Sequence, residues 1–150
     1  MKEKKEIEVI ARGVFVKDGK LLLCHSKGAD NTYLPGGHVE WGESAAVALC
    51  REIEEELGCR AVAGRFLGVS ENSFFRKGER YCEINLVFEM NVKGLRSNRN
   101  PEACEDYIEF YWIPMKRLKA SRMEPAALRK VLPLWLKKKY SVQRWITNMV

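Results

Sequence analysis

The stretch that decides the fold runs from residue 37 to residue 59, GHVEWGESAAVALCREIEEELGC. It closes on Arg51-Glu52-Ile53-Glu54-Glu55-Glu56-Leu57-Gly58-Cys59. In a helix, Glu52, Glu55 and Glu56 stand at i, i+3 and i+4, so the three carboxylates share one side. Ala46, Leu49, Cys50, Ile53 and Leu57 form a neighbouring apolar stripe that can seat the helix on a core. Ser44 is a fair N-cap, Glu43 complements the positive helix start, and Gly58 stands where a helix ends. Like charges side by side repel unless a cation sits among them. Oxygen-only ligands of this kind suit Mg²⁺, with Mn²⁺ also possible.

Working back from this helix, Tyr33-Leu34-Pro35-Gly36-Gly37 is a bend in which paired glycines allow a tight path and close approach to a ligand. Before it, Ile7 to Phe15 reads as a strand, Lys17-Asp18-Gly19-Lys20 as a hairpin turn, and Leu21 to Cys24 as the returning strand. Ser26 to Thr32 is a loop. After the helix, Arg60 to Val69 resumes strand character, and Glu71 to Arg80 is polar with Phe74-Phe75 in its middle. Those two rings can stack on a base or pack beneath a loop, and packing is the expectation taken. Tyr81 to Val92 alternates as a long strand, Lys93 to Glu105 is a loop, and Tyr107 to Ile113 is a further strand. Pro114 opens a short helix. Pro125 to Lys139 is a helix candidate that Pro133 breaks or kinks. Trp135 and Trp145 are expected to dock the tail on the sheet.

The stretch resembles the signature of the Nudix hydrolases: Gly, five residues, Glu, seven residues, then Arg-Glu-apolar-any-Glu-Glu-any-Gly-apolar. Gly37, Glu43, Arg51, Glu52, Ile53, Glu55, Glu56, Gly58 and Cys59 fill every fixed position. Cys59 is the least typical, although it is small and apolar enough to serve. The resemblance implies an α/β fold, an α/β/α sandwich with a mixed β-sheet, which suits the element order read above. It implies a Mg²⁺-dependent hydrolase that cuts a phosphoanhydride bond in a nucleoside diphosphate linked to another group. By matched positions, Glu52 and Glu56 are expected to hold metal, with Glu55 as a further ligand and Gly37 contributing its carbonyl. Arg51 is expected to pair with a carboxylate and orient it, because a guanidinium stays protonated and is a poor base. Glu43 is assigned to loop and helix-start structure, and His38 to a turn or sheet edge. In the family, the general base comes from the signature helix or from a later loop. Glu102, Glu105 and Glu109 are available in or beside that loop, and Glu105 is the choice made. The proline that marks ADP-ribose hydrolases and the tyrosine that marks dinucleoside polyphosphate hydrolases are both missing downstream. Both absences count against those substrates, and Phe74, Phe75, Tyr81, Arg76 and Arg80 can serve a base and phosphates, so a nucleoside triphosphate or nucleotide sugar is the substrate expected. The alternatives are a nucleotide-sensing Nudix domain without catalysis, or a hydrolase of RNA 5′ ends.

Bulk properties fit this reading. The 150 residues are 46% hydrophobic and 31% charged. That length suggests one domain over 1–150 with a real core. No apolar run approaches a membrane span, and MKEKKEIE lacks a signal-peptide core, so a cytoplasmic protein is expected. Cysteines 24, 50, 59, 82 and 104 stand apart without zinc-ligand spacing and read as free thiols. The net charge of +6 is uneven, for Lys116 to Arg144 holds ten Lys or Arg against Glu124. This basic, helical segment, 116–150, is read as a solvated surface, with nucleic acid as the less favoured partner. A homodimer is plausible on the resemblance.

Overall fold

The computed structural model describes residues 5–137 and 143–149. β1 (Ile7–Val14) runs into a hairpin of β2 (Val16–Lys17) and β3 (Lys20–Ser26). β4 (Gly36–His38) precedes α1 (Ala45–Leu57), and β5 (Ala61–Arg76) turns into β6 (Glu79–Val92). β7 (Ile108–Pro114), a 3₁₀ helix (Met115–Ala120), α2 (Leu128–Leu136) and β8 (Trp145–Thr147) complete the described elements. One sheet has the order β4-β1-β6-β5-β8, and a second has the order β2-β3-β7. The larger sheet is mixed: β1 lies parallel to β6 and β8 parallel to β5, whereas β4 pairs antiparallel with β1 and β5 antiparallel with β6.

Side-chain alternation explains why helices cover both faces. In β3, Leu22 and Cys24 enter a core with Leu49 and Ile53 of α1, while Leu21 and Leu23 enter a second core with Leu132 and Trp135 of α2. A strand buried on both sides reads as an unbroken apolar run, and Leu21-Leu22-Leu23-Cys24 is one. In the mixed sheet, β6 likewise sends Met90 and Val92 into the first core and Val87 into the second, so the architecture is an α/β fold with a mixed sheet and flanking helices. Among the described residues no helix is long and apolar enough to cross a membrane.

Both tight hairpins have two turn residues at positive φ, Asp18-Gly19 (50° and 71°) and Lys77-Gly78 (50° and 82°). That sign matches the twist of the flanking strands. The second turn carries β5 through the polar segment as far as Arg76. Phe74 and Phe75 are consequently at an exposed hairpin end rather than in the core. Phe74 stacks on Tyr81 across the strands, with centroids 5.5 Å apart.

Three expectations need correction. The tail is not uniformly helical: a 3₁₀ turn covers 115–120, α2 covers Leu128–Leu136, and 145–147 form a strand. The end of the helix candidate, at Lys138 and Lys139, lies outside the described residues. Of the two effects expected of Pro133, the break does not occur, for α2 continues through it to Leu136. The third concerns the tryptophans. Trp135 is fully buried and donates from Nε1 to the Gln143 carbonyl, but Trp145 is 47% exposed and tethers the tail through the backbone pairing of β8.

Trp135 also lies where a Cβ on Gly68 would meet its ring at 2.8 Å. The Trp135→Ala variant is expected to lose about 3–5 kcal/mol of stability, the usual range for emptying a buried aromatic site. Urea unfolding at fixed pH measures it.

Candidate functional site

Local sequence sets α1 in place. Ser44 Oγ accepts from the Val47 amide at 3.2 Å, and Gly58 closes the helix at φ 63° with its N–H on the Glu54 carbonyl. The buried residues of α1 are Ala48, Leu49, Ile53, Glu56 and Leu57. The core face is thus turned from the expected stripe, with Ala46 and Cys50 only half-buried and Glu56 taken inside.

The double-glycine segment forms an edge strand, β4, paired with β1. Gly36 has φ 142°, and a Cβ there would lie 1.9 Å from the Ala11 carbonyl oxygen. A Cβ on Gly37 would lie 2.2 Å from the carboxyl carbon of Glu52. The missing side chains let β4 press on β1 on one side and admit the Glu52 carboxylate on the other. His38 follows at this edge, with Nε2 3.5 Å from Glu8 Oε1.

Arg51 ties the pieces together. Its Nη2 reaches Glu43 Oε1 at 2.7 Å and the His38 carbonyl at 3.0 Å, and Nε reaches Glu43 Oε2 at 3.2 Å. Nη1 donates to Glu52 Oε1 at 2.9 Å and to Glu55 at 3.4 Å. The Arg51 hydrogen bonds hold the Glu43 carboxyl below its ordinary pKa, helped by the Glu40 amide. The same contacts, Glu43 first, raise the pKa of Arg51 itself.

Glu56 differs from its neighbours. It is 6% exposed, and its Oε2 is buried with no hydrogen-bond partner. Burial, and then the charge of Glu52, push its pKa up to about 8, with Glu105 and Glu55 adding and Arg12 opposing. Glu55 is exposed. Glu105 is exposed in the loop that docks on α1 through the Cys104 amide, which donates to the Glu56 carbonyl at 2.7 Å. Glu109 faces elsewhere, 3.4 Å from His25 Nε2.

A cleft of about 840 Å³ is lined by Gly37, Glu52 and Glu56 together with Asn72, Phe74 and Phe75, whereas Glu55 and Glu105 are not part of its lining. Sequence reading missed Arg12, which donates to the Leu34 carbonyl and to Asn85 Oδ1 and lies 5.1 Å from the Tyr33 ring centroid. It also missed Asn72, Glu83, Asn85 and Asn148. The one available signal was polar residues at inward positions of a long strand, which ordinarily carry apolar side chains.

Among the described residues no three His, Cys, Asp or Glu side chains already form a metal-binding group. Glu52 and Glu55 are engaged by Arg51. The donor set nevertheless fits a hard divalent cation. A buried carboxylate oxygen without a partner is costly. Here it belongs to an all-oxygen set beside a glycine that leaves the Glu52 carboxylate room.

The NUDIX domain family model matches residues 7–135. The human diphosphoinositol polyphosphate phosphohydrolase 3-beta is 36% identical over 74 residues, 49% of this chain and 45% of the relative. An ADP-ribose pyrophosphatase of Methanocaldococcus jannaschii is 36% identical over 102 residues, 65% of this chain and 58% of the relative. The chain spans about half the length of the curated relatives it matches. Among solved structures, the E. coli ORF135 protein shares the fold at TM-score 0.68 and 19% identity, covering 92% of this chain and 96% of that one. A MutT NUDIX hydrolase from Burkholderia pseudomallei matches at TM-score 0.59 and 29% identity, over 75% of this chain and 86% of that one. The chain belongs to the Nudix hydrolase family.

Glu56 makes stability depend on pH. The unfolded chain releases this proton near 4.5 and the folded chain near 8. Stability from this group is therefore full below about 4.5 and is lost as the pH rises through about 8. In EDTA, Glu56→Gln is expected to flatten that decline and to exceed the parent in stability at pH 8 by on the order of 2 kcal/mol. Urea titrations across this pH range measure both effects.

Proposed function

We propose that the whole chain works as a single Nudix domain that hydrolyses a phosphoanhydride bond in a small nucleotide, a nucleoside diphosphate linked to a further group. The observation that carries this reading is the unpartnered, buried Glu56 Oε2 in a cleft that Glu52 and Gly37 also line. Glu52 and Glu56, with Glu55 and the Gly37 carbonyl, would hold magnesium or manganese. Such a cation, when bound, neutralises diphosphate oxygens and lowers the pKa of water.

The remaining work falls to the chain. Arg51 holds Glu52 through one arm and Glu43 through the other, so the ligand carboxylate is oriented before substrate arrives. The loop that carries Glu105 is docked on α1 by the neighbouring Cys104 amide, which donates to the Glu56 carbonyl, and we assign Glu105 the water proton as general base. Tyr107 lines the same cleft. Phe74 and Phe75 offer exposed aromatic faces for a base, the feature that favours a nucleotide over another diphosphate. The names of the relatives support the diphosphate and differ in the molecule that contains it: a diphosphoinositol polyphosphate in one, ADP-ribose in another.

A panel of nucleoside triphosphates and nucleotide sugars, resolved by product, tests this. Turnover is expected with magnesium and none in EDTA. Glu56→Gln and Glu52→Gln are each expected to lower kcat/KM by about a hundredfold or more, the scale of losing a group that acts in the transition state. No product from any nucleotide, with magnesium or manganese, would defeat the proposal.

For the base, Glu105→Gln is expected to lower kcat by about a hundredfold or more and to remove the acid limb of the pH–rate profile. A variant that keeps the parental rate takes Glu105 out of the mechanism while leaving the metal assignments in place.

A further inference from the structure

At the aromatic part of the cleft the two long strands bury a set of polar side chains that the hydrolytic machinery does not use. Ser70, Asn72, Glu83 and Asn85 are each at most 8% exposed. Asn72 is paired with Glu83, and Ser70 with Asn85, in the β5–β6 register. The Asn72 and Asn85 amides both donate to a single oxygen, Glu83 Oε1, at 3.1 and 3.0 Å.

The polarity of this network is dictated from both ends. A guanidinium only donates, so Arg12 Nε at 3.2 Å makes Asn85 Oδ1 the acceptor and turns the Asn85 amide nitrogen toward Glu83. At the other end, the Ser73 backbone amide donates to Asn148 Oδ1 at 2.6 Å. Asn148 Nδ2 must then donate, and it does so to Asn72 Oδ1 at 2.8 Å, which turns the Asn72 amide nitrogen toward Glu83 as well. Neither asparagine can flip without opposing donor to donor or acceptor to acceptor. Asn148 is itself fixed just past β8, its amide on the Glu71 carbonyl.

The consequence lies on the other carboxylate oxygen. Oε1 is filled by two amide donors, whereas Oε2 has no hydrogen-bond partner among the described residues, and Glu83 lines the cleft beside Asn72 and Phe74. An ionised carboxylate accepts and does not donate. The cleft therefore offers, next to aromatic faces, an acceptor with two free sites, held rigidly by neighbours that cannot turn.

We propose that Glu83 is a specificity-determining residue that reads a nucleobase with adjacent ring N–H and exocyclic amine donors, a guanine-type edge, and that Asn148 is its positioning residue. Adenine and cytosine place a ring acceptor beside the amine and would set it against the carboxylate. Uracil and hypoxanthine carry the ring N–H but lack the amine. This inference rests on the nucleotide reading above and extends it to the base.

Equilibrium binding separates the two. Calorimetry on the full chain in EDTA compares GMP, IMP and AMP, while turnover of the matching triphosphates with magnesium is measured in parallel. GMP is expected to bind at least about tenfold more tightly than IMP or AMP, the worth of a hydrogen bond to a charged group. Glu83→Gln, which keeps an acceptor for the two asparagines but replaces the free oxygen by a donor, is expected to remove that preference. Asn148→Ala, at the chain's edge, is expected to shrink the GMP to IMP ratio severalfold and to act through KM rather than kcat in turnover.

A GMP preference in binding without turnover of any nucleotide would defeat the hydrolytic reading and uphold this one. Turnover with equal binding of the three nucleotides, no binding of GMP in the millimolar range, or a guanine preference that survives both substitutions would overturn the assignment to Glu83.

Discussion

Everything at this site depends on one guanidinium. Arg51 spans Glu43 in the loop before α1, the backbone of β4 at His38, and Glu52 on its own helix. These three pieces belong to a loop, a sheet edge and a helix, and no apolar contact could set their mutual angles so closely. A planar fork with five donors can, because each hydrogen bond fixes a direction as well as a distance. The two glycines before the helix make the arrangement possible. Gly36 lets the edge strand approach β1, and Gly37 leaves the space that the Glu52 carboxylate fills.

The carboxylates of α1 share a helix but not an environment. Glu55 is exposed, Glu52 is held by Arg51, and Glu56 has gone into the core side with an oxygen unpartnered. Three identical side chains thus have three different tasks available to them. A residue that merely decorated a solvated helix would not be buried at such a cost. The buried carboxylate gives the acidic face a meaning beyond surface charge.

The cleft has a second polar centre of opposite design. Around Glu56 no donor reaches the buried Oε2, the feature on which the proposed cation site rests. Around Glu83 the donors are supplied by Asn72 and Asn85, their directions forced by Arg12 and by the Ser73 amide. The first arrangement suits phosphate chemistry. The second suits recognition of a neutral, donor-bearing group. Arg12 stands between the two, bound to Asn85 and acting on the charge of Glu56.

Local rules made much of this legible beforehand. Ser44 and Gly58 bound the helix because a cap oxygen and a left-handed residue are needed where backbone partners run out. Asp18-Gly19 marks a hairpin because both turn residues must take positive φ. The unbroken run Leu21 to Cys24 announces a strand covered on both faces, and the spacing from Gly37 to Cys59 fixes the family. Other features were settled only when distant segments met. β5 extends through Phe74 and Phe75 because a partner strand supplies its hydrogen bonds, whatever its polarity. β8 exists because β5 has an edge to pair. The burial of Glu56 followed from which face of α1 met the sheet, a matter of packing volume rather than periodicity. The ladder from Arg12 to Asn148 joins residues 136 positions apart in sequence. Hydrogen-bond polarity is a property of neighbours in space, so no pattern along the chain could have announced it.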